Sequence, residues 1–209
     1  KIKPDDINTD YFRNHLAAFV ANQQSEVTKN LYITIPPFSI VKKYFDSKEY
    51  YYQSFAEGIL LSNYSFDKYK KEQEKDRILN VYLHAEDEKI LRNALKTAQD
   101  LISSVALTRD LQNEPANNLT PNLFANRIVS ALRPLGIKVT VFDQKEIKKR
   151  KMGGLIAIGQ GSVNKPRFIV LEYKPEMKSK NKKVKTIALV GKGITFDTGG
   201  ISLKPSKGM

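Results

Sequence analysis

Residues 86–113 read EDEKILRNALKTAQDLISSVALTRDLQN, and the reading of that stretch decides the architecture. Leu91, Leu95, Ala98, Ile102 and Val105 recur every three or four positions, the spacing of one helix face. Glu86, Asp87 and Glu88 stand at the start, where the helix dipole favours acidic groups. Asn113-Glu114-Pro115 closes the pattern, because proline disfavours helix in the residue before it. A helix of roughly 25 residues would span about 38 Å. That is long for one small domain, so the stretch is expected to bridge two.

Upstream, Asp10 to Gln23 reads as an amphipathic helix and Leu31 to Ile35 as a strand stopped by Pro36-Pro37. A second helix is expected from Tyr50 to Ser62, and a second strand from Ile78 to Leu83. Gly58 lies inside that second helix, where glycine costs about 1 kcal/mol against alanine. Its presence predicts close packing. Downstream, Thr120-Pro121 is a cap followed by a first-turn proline, opening a helix that runs to Leu132. Ile137 to Phe142 reads as a strand followed by a basic helix. Leu155 to Ile158, Phe168 to Tyr173 and Val184 to Val190 read as further strands, apolar enough to be covered on both faces. The expected fold class is α/β. Two α/β domains are joined by a long linker helix, and the second, a mixed-sheet catalytic domain, is truncated. The expected bounds are 1–85 for part of the N-terminal domain, 86–113 for the linker helix and 114–209 for the N-terminal part of the catalytic domain.

Composition narrows the chemistry. The chain has 209 residues and no cysteine, which excludes disulfides, thiolate–metal sites and cysteine nucleophiles. The histidines, His15 and His84, are far apart. A histidine-based zinc site needs clustered ligands, so a metal here must be held mainly by oxygen or by an unusual nitrogen. No apolar run approaches ~20 residues, so no membrane span is expected. The first residues lack the apolar core of a signal peptide. The net charge is +13, with one cluster at Lys174, Lys178, Lys180, Lys182, Lys183 and Lys185 and another at Lys145, Lys148, Lys149, Arg150 and Lys151. Such clusters attract nucleic acid or another polyanion. Lacking interleaved aromatics for base stacking, they read better as a solvated loop and a solvated helix end.

The richest chemistry lies at Val190-Gly191-Lys192-Gly193-Ile194-Thr195-Phe196-Asp197-Thr198-Gly199-Gly200-Ile201-Ser202-Leu203-Lys204. The spacing of a phosphate-binding loop is absent. Lys192 and Asp197 are close enough in sequence for a turn to bring them to one point. A carboxylate suits a hard or borderline divalent cation, and a lysine amine ligates once deprotonated, which the cation itself promotes. Lys204 could stay protonated and face a substrate oxygen. The alternative is that Asp197 caps a turn and the lysines are solvated. Spacing alone leaves both open.

Four stretches in order carry a family resemblance. They are Phe55-Ala56-Glu57-Gly58 through Lys70, Asp110 through Pro121, Gly153-Gly154-Leu155 through Ser162 with Pro166-Arg167-Phe168-Ile169, and Gly191 to Lys204. Together they resemble the cytosolic leucyl aminopeptidase family of dinuclear metallopeptidases, from about residue 50 onward. The resemblance implies a cytoplasmic homohexamer that releases N-terminal residues, leucine-like ones by preference, from peptides. It implies two divalent metal ions, manganese or zinc, with Lys192 ligating one, Asp197 bridging both, and Lys204 polarising the carbonyl. The family's remaining ligands, and an arginine holding bicarbonate, come later than Met209. By this reading the chain is a fragment, inactive alone. Two other expectations stand beside it: a DNA-binding architectural protein related to the same family, and an inactive fragment serving as an interaction surface.

Overall fold

The computed structural model describes residues 9–25, 29–71, 80–175 and 185–196, without the side chains of residues 24 and 25. The chain divides into two compact units, Lys1–Asn113 and Glu114–Met209.

In the first unit, helix α1 (Thr9–Ser25) leads to strand β1 (Asn30–Thr34) and the short helix α2 (Phe38–Val41). Helix α3 (Lys48–Leu61), strand β2 (Asn80–His84) and helix α4 (Glu88–Asn113) follow. β1 and β2 pair in parallel, Asn30 opposite Asn80 and Thr34 opposite His84. Parallel strands need a crossover, and α2 and α3 lie in the stretch between these two. Ser47 starts α3 by accepting a hydrogen bond from the Tyr50 amide at 3.1 Å, satisfying an otherwise orphan donor. α3 packs against both α1 and α4. The core gathers Ile35, Phe45, Tyr51, Tyr52, Phe55, Ala85, Leu91 and Ala94. Phe12 of α1 enters it with ring centroids 5.6 Å from Phe45 and 5.4 Å from Phe55. Each such apolar side chain contributes about 1.5–3 kcal/mol by leaving water.

Gly58 stands where α3 meets α1. A Cβ there would lie 2.9 Å from the Arg13 carbonyl oxygen and 2.9 Å from Leu16 Cβ. Close packing is therefore what the glycine permits. Beside it a charged pair crosses the same interface: Arg13 Nε donates to Glu57 Oε2 at 2.6 Å, and the Glu57 side chain is 3% exposed. Gln53 Nε2 donates to the other carboxylate oxygen at 2.7 Å, and Arg13 also reaches the Tyr50 hydroxyl. Glu57 thus pairs within its helix, as its position suggests, and also across to α1.

In the second unit, helix α5 (Pro121–Leu132) and a 3-10 turn (Arg133–Leu135) precede strand β3 (Lys138–Phe142). Helix α6 (Gln144–Lys149), helix α7 (Gly153–Gly159) and strand β4 (Phe168–Glu172) follow. β3 and β4 pair antiparallel, Lys138 opposite Glu172 and Phe142 opposite Phe168. Lys138 Nζ donates to Glu172 at 2.8 Å, which holds that carboxyl below its ordinary range. Leu119, Ala125, Val139 and Ile147 are the buried apolar residues.

Two expected strands are corrected. Leu155 to Ile158 lies in helix α7. Its half-buried positions are Met152, Leu155, Ile156 and Gly159, a helical stripe that the run of apolar letters conceals. Short apolar runs fit either period, and here the flanking Met152 and Gly159 decide. The Val184 to Val190 strand is not formed within the described residues: 185–190 have no regular structure, and Ile187, Leu189 and Val190 are 82%, 94% and 96% exposed. A strand needs a neighbour for its backbone groups, and no described segment pairs with this one. Nor is β4 covered on both faces, since Leu171 is 48% exposed.

Candidate metal centre

The glycine-rich loop that sequence singles out is described only as far as Phe196. Lys192 lies in it, exposed, on irregular chain. Asp197 and Lys204 lie outside the described residues.

What the structure does place is the wall beside Lys192. A Cβ on Gly193 would stand 3.7 Å from Phe124 Cε1, ordinary contact distance, so the loop runs against α5. α5 is fixed at its start by Thr120, whose hydroxyl accepts from the Leu123 amide, and by Pro121 in the first turn. Proline costs nothing there, because its missing N–H would be unpaired anyway. Arg127 of α5 then binds Glu114 at 2.8 Å. The Glu114 side chain is 1% exposed, a burial at which a carboxylate needs partners of this kind. Glu114 gave no signal in sequence beyond its place before proline. An Arg thirteen positions on, at the buried side of a capped helix, is a pattern that only packing discloses.

A metal centre needs several donors at one point. Among the described residues no three His, Cys, Asp or Glu side chains converge as a cation site. Lys192 offers a single nitrogen, which is too few. The described residues by themselves therefore do not compose a metal centre. His15 Nδ1 lies 2.8 Å from the Tyr11 carbonyl oxygen on its own helix, and exposed His84 ends β2. Neither joins a site.

The basic clusters fare differently. Most of the one from Lys174 to Lys185 falls outside the described residues. The other surrounds the end of α6, where Lys145, Lys148, Lys149, Arg150 and Lys151 are exposed. Arg150 and Lys149 lie 3.6 and 3.9 Å from Glu146, and basic groups at a helix C-terminus complement its dipole. This arrangement suits a solvated helix end. No helix among the described residues is long and apolar enough to cross a membrane.

Comparison with known proteins supplies what the loop alone does not. Residues 106–209 match the cytosol aminopeptidase family, catalytic domain. The probable cytosol aminopeptidase of Rickettsia rickettsii (strain Sheila Smith) is 43% identical over 157 residues, 74% of this chain and 31% of that protein. Its counterpart in Rickettsia canadensis (strain McKiel) is 42% identical over the same length, 30% of that protein. The chain therefore spans about a third of the length of the curated relatives it matches. Among solved structures, the bottromycin maturation enzyme BotP in complex with Mn aligns with a TM-score of 0.73 and 29% identity, over 98% of this chain and 40% of that one. A mutant tomato leucine aminopeptidase aligns with a TM-score of 0.76 and 27% identity, over 90% of this chain and 37% of that one.

Proposed function

Because the chain belongs to the cytosol aminopeptidase family, we propose that the full-length protein is a metal-dependent aminopeptidase. It removes N-terminal residues from peptides, leucine-like ones by preference, in the cytoplasm. The observation that carries this reading is the family match over residues 106–209, which includes the stretch from Gly191 to Lys204. The proposed domains are 1–85, the linker helix 86–113 and 114–209, within a homohexamer.

Lys192 and Asp197 are the proposed ligands that would help hold two divalent ions, manganese or zinc, with the Asp197 carboxylate able to serve both. When bound, the ions supply Lewis acidity and an activated water for peptide hydrolysis. Lys192 must give up its proton to ligate. Lys204 keeps its proton and faces the carbonyl oxygen of the substrate, where a fixed cation favours the charge that develops. A bound bicarbonate is the proposed base. One amine and one carboxylate do not hold two ions, so turnover is proposed for the full-length protein and not for these 209 residues alone. BotP solved with Mn supports manganese as one candidate ion.

The test is Asp197→Ala in the full-length protein. We expect peptidase turnover to vanish and bound metal to fall, with circular dichroism unchanged. Near-normal rates in that variant at saturating manganese would refute the assignment. A chelator should abolish activity, whereas binding through phosphate contacts would weaken steeply with salt and ignore the chelator.

A further inference from the structure

A pocket of about 260 Å³ lies within the first unit, bordered by α1, α3, β2 and α4. Strand β2 alternates between exposed and half-buried residues, and its half-buried pair, Val81 and Leu83, lines the pocket. On α3, Tyr52 and Ala56 stand one turn apart and share a face. Tyr52 fills the core at 1% exposure, whereas Ala56 brings only a methyl group to the pocket. Ala56 and Val20 of α1 are 1% and 2% exposed and make the floor. Asn63 and Gln99 are exposed and stand at the mouth.

The lining limits what fits. It holds no charged side chain, and its polar side chains, the carboxamides of Asn63 and Gln99, are confined to the mouth. A charged ligand would give up its hydration with no opposite charge to replace it. Water is poorly held as well, because a bound water needs about two to four polar partners and the side chains of the floor supply none. Displacing loosely held water by an apolar group gains affinity. An apolar cavity of about 150 Å³ takes benzene, so this pocket takes a body of roughly ten non-hydrogen atoms. We propose that it binds a small neutral molecule with a compact aliphatic body and one amide. The body rests on Val20 and Ala56, and the amide lies at the mouth beside Gln99, whose carboxamide both donates and accepts. Free amino acids carry two charges and do not suit the pocket. The inference stands whether or not the protein is a peptidase.

The experiment is calorimetric titration of the full-length protein with cyclohexanecarboxamide and with cyclohexanecarboxylate, which has the same body and a charge. The amide should bind saturably, once per chain, and the carboxylate at least about tenfold more weakly. Saturating amide should slow hydrogen exchange at residues 59–63, 81–83 and 95–99. Ala56→Val narrows the floor and should weaken binding by about tenfold. Gln99→Ala, at an exposed position, should weaken it by about three- to tenfold. If Ala56→Val does not fold, Gln99→Ala and the comparison of the two probes decide. Absence of saturable binding would overturn the proposal, whether another part of the protein or water alone then fills the pocket. Equal affinity for the carboxylate would also overturn it, as would unchanged affinity in both variants, which would place the probe elsewhere.

Discussion

Replacing Gly58 by alanine sets two opposed effects against each other at one atom. In a helix interior alanine is better than glycine by about 0.8–1.0 kcal/mol, so propensity alone predicts stabilisation. The structure predicts the reverse. The new methyl carbon would sit 2.9 Å from the Arg13 carbonyl oxygen, 2.9 Å from Leu16 Cβ and 3.2 Å from Arg13 Cα. Carbon contacts want about 3.5–4.0 Å, so α1 must retreat by roughly half an ångström or more. The obstruction is mainly backbone, which cannot rotate aside. Overpacking of this kind costs about 1–3 kcal/mol. The retreat also draws Arg13 from Glu57, a 2.6 Å pair whose carboxylate side chain is 3% exposed. Full loss of a partner at such a site costs about 3–5 kcal/mol, so even slight loosening adds to the penalty. The expected net effect is a loss of about 1–2 kcal/mol. Urea denaturation followed by far-ultraviolet circular dichroism measures it. Gly154→Ala is the control: it also lies in a helix, and no atom stands within 4 Å of its Cβ position, so propensity should prevail and stability rise. A Gly58→Ala variant as stable as the parent, or more so, would refute the packing argument.

Two further outcomes follow from local geometry. Lys151 holds φ 55 just past α6, the left-handed region that costs an L residue about 1–2 kcal/mol. Lys151→Gly should therefore raise stability by about 0.5–1 kcal/mol after allowing for glycine's greater freedom when unfolded; a lowered urea midpoint would contradict this. Tyr51, with no solvent exposure, has its phenol pushed up from 10.0 to about 12 by burial and by the neighbouring Tyr52. The unfolded chain then loses this proton near its ordinary value while the folded chain keeps it. Stability should fall as pH rises from about 10 towards 12, by roughly 2–3 kcal/mol from this group. In Tyr51→Phe that part of the alkaline loss should disappear, and a pH–stability curve parallel to the parent's would show that another group is responsible.

The sequence by itself determined what depends on neighbours along the chain. Helical spacing gave α1, α3, α4 and α5 nearly to their ends, and Thr120-Pro121 gave the start of α5. The lone glycine in α3 foretold a close neighbour without saying which. The order of four short stretches gave the family, and with it the proposed roles of Lys192, Asp197 and Lys204. Tertiary structure decided what depends on distant partners. Arg13 and Glu57 are separated by 44 positions and Tyr64 and Asp110 by 46, and no periodicity joins them. The run from Leu155 to Ile158 was ambiguous because four apolar residues fit a strand or a helix equally. Only burial at Met152 and Gly159 on either side resolved it. A strand at Ile187 to Val190 depends on a partner edge, and no local pattern can supply one. Local backbone preference is written in a few adjacent residues. Pairing and burial are properties of the folded chain, because they arise where remote segments exclude water together.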